Sequence, residues 1–352
     1  MKLALPPLVP AKAGTQFFRK ELDSRFRGNE RQWRSLPRLT TAIIIACGLT
    51  ASPAKAAETL RVGKAVGVAF SFVPLDIGIR KGLFAREGLE IEPTVFGGDA
   101  RLQQAMAADG IDVALGSGPA MAFIAKGAPI KGIAAMAGPP LLLTVIVRPD
   151  GPRSVAELKG KTVSVSSAGS LTYWLVSETS RQQGWGPNGI RIATLGAPQA
   201  QYVALERGDT DGMVADLSSA LDLEKSGKAR ILMRFGDLVK DFHIHVIFAT
   251  DKVIAARPAA LRGFLRAWFA TIAFMRQNRS ETVAIAMDVM GKDAAIMGRT
   301  YDELMPMFSD DGKFSAPALA VLAKSYVTLG VLPSEPDMTK LYTEAFLPKN
   351  TH

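Results

Sequence analysis

The feature that most constrains the fold is an alternation of short apolar runs with segments of helical spacing, which begins near Glu58 and occurs twice. Strand-like runs at Leu60–Val66 and Leu89–Phe96 are each followed by a glycine-containing loop and a helix-like segment. The turn-rich stretch Arg148–Pro152 interrupts this pattern, which restarts with a strand-like run at Thr162–Ser166. Such alternation is typical of α/β domains in which helices connect the strands of a largely parallel sheet. The sequence therefore predicts two α/β lobes.

The second half of the chain predicts a return to the first lobe. Phe242–Ala249 alternates as a strand does, and the tail that follows carries a helical stripe of large apolar side chains. We therefore assign residues 58–147 and 248–347 to lobe 1 and residues 148–247 to lobe 2. Two lobes joined by two chain crossings form a hinged clamp, and open α/β sheets bind ligands at the carboxyl ends of their strands. We expect a ligand cleft between the lobes.

The composition excludes several other classes of protein. Hydrophobic residues make up 48% of the chain and charged residues 21%, as expected for a globular protein. The single cysteine, Cys47, excludes a disulfide framework and a multi-cysteine metal site. Residues 1–57 hold ten Lys and Arg against three Asp and Glu, whereas the remaining residues hold 32 against 30. The excess positive charge therefore belongs to the leader, and the folded part lacks the clustered cations of a nucleic-acid-binding protein.

Residues 31–56 have the order of a secretory signal peptide. Three arginines between positions 31 and 38 precede an apolar run at Leu39–Leu49, and Ala54-Lys55-Ala56 supplies a small-x-small cleavage site. The apolar run is shorter than the about 20 residues that a membrane-spanning helix requires. We therefore expect cleavage after Ala56 and a mature protein in the periplasm.

Two alternatives for the leader remain open. The segment could stay uncleaved as an anchor, or Cys47 could be lipidated, since Ile44–Cys47 loosely resembles a bacterial lipobox. Residues 1–30 do not have the pattern of a signal. We expect them to be disordered, or to result from a start site upstream of the true one.

Four segments of the mature chain carry a resemblance to a known family. They are Pro74–Leu89, Gly97–Ala114, Leu158–Val165 and Arg257–Trp268. They resemble the periplasmic solute-binding proteins of ABC importers, in the family that handles sulfonates, nitrate, taurine and thiamine-pyrimidine precursors. The resemblance implies the type II periplasmic-binding-protein fold, in which each of two lobes is a mixed, largely parallel sheet flanked by helices. It also implies solute capture between the lobes and docking onto a membrane permease with its ATPase.

Two predicted helix starts could bind an anion. Gly116–Gly118 lies between a strand and a helix, where free backbone N–H groups, the helix dipole and the Ser117 hydroxyl favour a negative group. Ser166–Thr172 repeats this arrangement in lobe 2 with four hydroxyls and a glycine. The alternative is a tight turn in lobe 1 and simple helix capping in lobe 2. Two such starts facing one cleft fit a small acidic solute, and the family resemblance implies solute binding at the Gly116–Gly118 loop.

Asp216 and several aromatic side chains complete the predicted site. Asp216 follows a short strand, where its carboxylate could hold an amine of the solute or merely cap the next helix. Aromatic residues near the cleft could stack on a planar ring or belong to the core. The candidate ligand-binding residues are Phe70, Ser71, Gly97, Ser117, Gly118, Ser167, Ser170, Thr172, Tyr173 and Asp216.

The sequence offers little for catalysis or metal binding. His243 and His245 share one face of a strand, but zinc needs three or four ligands and the mature chain has no cysteine. The Gly-x-Ser-x-Gly elbow, the P-loop and the dinucleotide fingerprint are all missing from the sequence. We expect no metal, no cofactor and no catalytic residue, although either histidine could face the cleft.

The sequence therefore predicts an exported, monomeric receptor that captures a small organic anion or zwitterion and delivers it to an ABC permease. The solute is predicted to be sulfonate-like, taurine-like or similar to a pyrimidine precursor, and its identity is not determined. Two alternatives remain: an enzyme on the same fold, of the pyrimidine-synthase or menaquinone-pathway kind, and an exported ligand sensor for a membrane receptor.

Overall fold

The computed structural model describes residues 57–186 and 188–349. The predicted signal peptide at 31–56, which contains Cys47, and residues 1–30 lie outside the described residues. Within the described ranges the chain forms two five-stranded sheets flanked by helices. No helix in these ranges combines the length and the apolar character that a membrane-spanning helix needs.

The first sheet has the strand order β2-β1-β3-β10-β4. Its strands, numbered in chain order, are β1 (Glu58–Lys64), β2 (Leu89–Val95), β3 (Val113–Ser117), β4 (Ile130–Ala137) and β10 (His245–Thr250). Strand β1 pairs in parallel with β2 and β3, whereas β10 is antiparallel to β3 and β4. The apolar side chains of the central strands, such as Leu60 and Val62, are fully buried. This sheet forms the centre of lobe 1.

The second sheet repeats this arrangement with the strand order β7-β6-β8-β5-β9. Its strands are β5 (Thr144–Val147), β6 (Thr162–Val165), β7 (Arg191–Thr194), β8 (Gly212–Ala215) and β9 (Arg230–Arg234). Strand β6 is parallel to β7 and β8, and β5 is antiparallel to β8 and β9. The prediction of two mixed, largely parallel α/β lobes is confirmed.

The chain crosses between the sheets at 138–143 and at 235–244, a few residues away from the predicted limits. Thr144–Val147, assigned from the sequence to lobe 1, pairs with β8 and β9 of the second sheet. His245–Ile247, assigned to lobe 2, already pairs with β3 and β4. The first crossing begins at Gly138-Pro139-Pro140, because proline has no N–H to continue a strand ladder. Arg148–Gly151 is instead a tight turn after β5, closed by a hydrogen bond from Gly151 N to Arg148 O of 3.0 Å.

Helices cover both sheets. In chain order they are α1 (Val73–Arg80), α2 (Leu83–Arg86), α3 (Asp99–Ala107), α4 (Met121–Ala125), α5 (Leu171–Gln182), α6 (Pro198–Arg207), α7 (Leu217–Lys225), α8 (Asp251–Ala256), α9 (Pro258–Gln277), α10 (Arg279–Met290), α11 (Ala294–Leu304) and α12 (Ala316–Thr328). The predicted apolar stripe of the tail lies on α9, where Phe264, Leu265 and Trp268 are fully buried against α1 and α2. The tail therefore completes lobe 1.

Candidate functional site

A cavity of about 110 Å³ lies between the two sheets. The carboxyl ends of β1, β3, β6 and β8 open toward it, and both chain crossings contribute to its wall. The lining residues that the following paragraphs discuss are Phe70, Ser71, Phe72, Asp99, Ser117, Ser166, Thr172, Gln201, Asp216, Ser219 and His245. The structure thus has a cavity where the sequence predicts the cleft.

Ser117 lies on the cavity wall, but its two donors already serve another residue. Oδ1 of Asp99 accepts a hydrogen bond from the backbone N–H of Ser117 at 2.9 Å, and Oδ2 accepts one from its hydroxyl at 3.0 Å. The N-cap residue of α3 is Gly98, and the side chain of Asp99, the first residue of this helix, turns toward β3. An internal carboxylate therefore occupies the position predicted for a solute anion.

Gly118 packs against the second crossing and does not line the cavity. Its N–H donates to the carbonyl of Ile244 at 3.2 Å, and its own carbonyl accepts from the Tyr326 hydroxyl at 3.2 Å. A Cβ at this position would lie 2.0 Å from the carbonyl oxygen of His243. The helix expected after Ser117 is a three-residue 3₁₀ turn that continues into the short α4, which leaves little helix dipole at this point. The role of Gly118 is therefore to allow close packing of the chain against the second crossing.

The hydroxyl groups of the Ser166–Thr172 loop in lobe 2 mainly form hydrogen bonds within the loop and with the start of α5. Ser170 caps α5, because its Oγ accepts from the N–H of Tyr173 at 3.2 Å. Thr172 accepts from the N–H of Ser166 at 3.1 Å and lies within hydrogen-bond distance of the hydroxyls of Ser166 and Ser170. Ser166 and Thr172 line the cavity, whereas Ser170 and the half-buried Tyr173 lie outside its lining. The capping alternative considered for this loop therefore applies to Ser170.

Ser167 and the glycines at 97 and 98 form the rim where the lobes touch. Ser167 Oγ accepts a hydrogen bond of 3.3 Å from the N–H of Ala100 at the start of α3. Gly98 has φ of 122°, and a Cβ there would lie 2.4 Å from Ser167 Oγ. Gly97, which is half-buried, approaches Ala197 of lobe 2. Ser167 and Gly97 therefore lie at a lobe–lobe contact beside the cavity and do not line it.

Asp216 has the capping role considered from the sequence, and it also reaches the cavity. It caps α7 through Oδ1, which accepts from the N–H of Ser219 at 3.1 Å and from the hydroxyl of Ser218 at 2.5 Å. Its side chain also lines the cavity, and within the described chain Oδ2 has no hydrogen-bond partner. Phe70 and Ser71 lie on the opposite wall, where Phe70 also packs against Tyr301 and Phe308. These three predicted residues reach the cavity.

Asp99, Gln201 and His245 line the cavity and were not among the predicted site residues. Asp99 is 4% exposed and Gln201 2% exposed. Gln201 donates from Nε2 to the carbonyl of Gly196 at 2.8 Å, and its Oε1 is buried without a partner among the described residues. Burial raises the pKa of the Asp99 carboxyl, opposed by the hydrogen bonds from Ser117. Asp99 could have been found from the sequence by its position directly after the Gly97-Gly98 loop.

The two histidines of the second crossing have different environments. His245 contacts the ring of Phe72 edge-on at 4.9 Å, and its Nδ1 has no hydrogen-bond partner in the described chain. Burial lowers the pKa of His245 to about 3, so its imidazole is neutral in the cavity. His243 faces away from the cavity and accepts a hydrogen bond from Ser315 N at 2.9 Å. The described residues contain no group of three or more His, Cys, Asp or Glu side chains that could hold a metal ion.

Two carboxylates and no Lys or Arg line the cavity within the described residues. The buried Lys64 at the end of β1 lies outside this lining and pairs with Asp76 at 3.0 Å. The remaining wall is mostly apolar, and neutral Ser, Thr, Gln and His side chains supply the other polar groups. This wall is complementary to a solute that offers hydrogen-bond donors.

Comparisons with known proteins agree with this architecture, which is that of a two-lobed periplasmic-binding-protein fold. A Candida albicans gene product described as having the generic periplasmic binding protein fold matches with 16% identity and a TM-score of 0.72, over 83% of this chain and 98% of its own. The alkanesulfonate-binding protein SsuA of Xanthomonas axonopodis pv. citri, bound to MOPS, matches with 18% identity and a TM-score of 0.68, over 82% and 97% of the two chains. The periplasmic nitrate-binding protein NrtA of Synechocystis PCC 6803 matches with 15% identity and a TM-score of 0.67, over 82% and 86%.

The sequence itself identifies the family. Residues 69–282, more than half of the chain, match the NMT1/THI5-like family, and the protein belongs to it. A comparison with curated proteins gives no match.

Proposed function

We propose that this protein is the solute-binding receptor of an ABC importer. The observation that carries the proposal is the cavity enclosed between two sheets of the same strand order, at the carboxyl ends of strands from both. Membership of the NMT1/THI5-like family and likeness to sulfonate- and nitrate-binding proteins support it. A solute held there contacts both lobes at once, so it favours the arrangement in which they are closed.

The crossings at 138–143 and 235–244 are the proposed hinge. Neither crossing contains a strand, and no strand of one sheet pairs with a strand of the other. A rotation about the crossings therefore leaves both sheets intact. With these limits lobe 1 holds β1–β4, β10 and the tail, and lobe 2 holds β5–β9. We propose that the rim contact of Ser167 with Ala100 forms as the lobes close.

The proposed solute is small and organic. The cavity wall gives little support to a bare anion, since Asp99 already occupies the donors of Ser117. We propose that Asp99, Asp216, Gln201 and His245 contact the solute together with Phe70, Ser71, Ser117 and Thr172.

The proposed setting is the periplasm, and the proposed partners are an ABC permease with its ATPase. The leader at 31–56 would direct export. We expect a monomer. We also expect no affinity for nucleic acid, because the charge of the mature chain is nearly balanced.

An enzymatic function on this fold has less support from the cavity. Serine nucleophiles are commonly activated by a histidine, but the Ser117 hydroxyl donates to Asp99, and Nδ1 of His245 has no partner in the part of the chain described. An exported sensor would share the same lobes and cavity. The identity of the membrane protein that the closed form binds separates a sensor from a receptor of an importer.

Ligand screening by thermal shift, followed by solution scattering, tests the receptor function. A true solute at a hundredfold excess over Kd stabilises the fold by about 2.7 kcal/mol, which raises the melting temperature by several degrees. It also reduces the radius of gyration and is recovered unchanged after long incubation. Conversion of the bound compound to a product would favour an enzyme, and binding without any change in the radius of gyration would contradict hinge closure.

A further inference from the structure

The charge of the cavity points to a particular class of solute. Asp99 and Asp216 both line the cavity, and no Lys or Arg among the described residues does. His245 supplies no positive charge either, because burial lowers its pKa to about 3. The groups facing the solute are thus two carboxylates, neutral polar side chains and apolar side chains.

Asp99 is a buried carboxylate without a cationic partner in the described chain. Ser117 donates its two hydrogen bonds, but neither of these donors carries a charge. Removing a lone charge from water is costly, so burial raises the pKa of the Asp99 carboxyl and favours its neutral form in the absence of a cation. A cationic solute would supply the missing opposite charge and favour the ionised carboxylate.

Two further acceptors face the same space. Asp216 uses Oδ1 to cap α7, which leaves Oδ2 without a partner among residues 57–186 and 188–349. Oε1 of Gln201 is buried and unpaired on a side chain that is 2% exposed, although the amide as a whole is fixed by its bond to Gly196. A buried acceptor that lacks a donor is destabilising. An ammonium or amidinium group carries several donors and no acceptor, and is complementary to this set.

The remaining wall fits an apolar body. Leu141, Leu142 and Leu143 of the first crossing line the cavity, as do Met213, Leu217, Leu304 and Met307. An apolar portion of the solute gains free energy by leaving water for this wall. An acidic group on the same solute would lie near two carboxylates with no cation to balance it.

We propose that the solute is a small organic cation, a protonated amine or amidinium on a compact apolar body, with no acidic group. The cationic nitrogen is held by Asp99 and Asp216, and Gln201 accepts a further hydrogen bond from it. This inference rests on the proposed receptor function and specifies its substrate class. Nitrate and sulfonates, the ligands named for similar structures, are then excluded from this cavity.

A matched series of probes tests the charge of the solute. Calorimetry with n-butylamine, 1-butanol and butane-1-sulfonate, and with benzylamine, benzyl alcohol and phenylmethanesulfonate, compares three head groups on two apolar bodies. The amine is expected to bind at least about tenfold more tightly than the alcohol of the same body, with no binding of the sulfonate. A sulfonate that equals or exceeds the amine, or a series in which neither amine binds, overturns the proposal.

Variants then test the residues. Asp99→Asn and Asp216→Asn are each expected to weaken binding of the better amine at least about tenfold, while binding of the alcohol changes less than about twofold. Asn keeps the capping ability of Asp, so Asp216→Asn is not expected to unfold α7. Asp337→Asn is the control, because Oδ1 of Asp337 accepts from Thr339 N and Oγ1 much as Asp216 accepts from Ser219 and Ser218, but outside the cavity. Equal effects on the amine and the alcohol would contradict the assignment.

Failure of this proposal and failure of the receptor function give different results. Native mass spectrometry of the mature protein, purified from a periplasmic extract, reports any compound that it carries. A carried acid, with closure in solution scattering, would overturn the organic cation and leave the receptor intact. The absence of any carried compound, with no closure by any probe, would overturn both.

Discussion

The two lobes place a carboxylate at the same point of their sheets, but by different routes. Strands β3 and β8 occupy equivalent positions in the two strand orders. At the end of β3, Asp99 reaches over from α3 to accept the N–H of Ser117, whereas Asp216 directly follows β8 and accepts the N–H of Ser219. In both lobes an internal carboxylate takes backbone donors that a solute anion would need.

The difference between the two carboxylates lies in their exposure. Asp99 is almost completely buried, and its pKa is raised by that burial, whereas Asp216 is half-exposed and keeps one oxygen unpaired within the described chain. A buried, fixed group gives orientation at a cost in stability, and an accessible group can engage as the lobes close. Under the proposed receptor function we therefore expect lobe 1 to anchor the solute and lobe 2 to close on it.

The largest effect is expected at Gly118, which follows β3 and packs against the second crossing. In Gly118→Ala the new Cβ would lie 2.0 Å from the backbone carbonyl of His243, which has no flexible side chain to move aside. We expect the free energy of unfolding to fall by about 3 kcal/mol. Gly138→Ala on the first crossing is the control, since its nearest neighbour, Phe242 O, would be 3.7 Å away. Denaturant unfolding of both variants measures the difference, and equal losses would contradict the packing role of Gly118.

An intermediate effect separates Ser117 from Ser170, which the sequence presented as equivalent anion donors. Ser170→Ala removes the cap of α5 and is expected to lower the free energy of unfolding by about 1 kcal/mol with little change in solute affinity. Ser117→Ala removes one hydrogen bond to Asp99 and is expected to weaken solute binding about fivefold. Thermal unfolding and calorimetry of both variants measure these effects. If Ser170→Ala instead weakened solute binding more than Ser117→Ala, lobe 2 would be the anchor of the solute.

The sequence predicted most of the fold because the pattern of each element is local. Runs such as Leu60–Val66 and turns such as Gly97-Gly98 contain the information for their own strands and loops. The crossing before β5 was misplaced by a few residues, because Gly138-Pro139 and Arg148–Pro152 are both strong turn signals and only strand pairing distinguishes them.

The cavity was harder to predict because its contacts join distant parts of the chain. Ser117 and Asp216 follow strands and could be found from the sequence, but the partner of Ser117 lies 18 residues earlier and had the pattern of a helix cap. Gln201 lies inside α6, where a buried amide leaves no sequence signal. Ser170 and Ser167 were predicted for the solute because a cap, a rim contact and a ligand-binding hydroxyl have the same local sequence.

The smallest effect is expected from ion pairs that join the lobes at α7. Lys225 pairs with Asp293 at 2.7 Å, and Lys292 pairs with Asp222 at 2.6 Å. Each pair links α7 of lobe 2 to the segment between α10 and α11, so both form only when the lobes are together. Both pairs lie at the surface, although Lys292 is half-buried, and surface pairs contribute at most about 1 kcal/mol and are screened by salt. Lys225→Gln combined with Lys292→Gln is therefore expected to weaken solute binding less than about fivefold.

The salt dependence of binding distinguishes this contribution from a general effect of charge. Solute affinity of the wild-type protein is expected to fall slightly when the ionic strength rises from about 0.05 to 0.5 M, and the double variant is expected to lose that part of the dependence. The control is Lys81→Gln, which removes a pair with Glu281 of 2.7 Å that lies within lobe 1. Because this pair does not cross the cleft, the control should keep both the affinity and the salt dependence of the wild type. If the control and the double variant behave alike in calorimetry, the pairs at α7 do not contribute to closure.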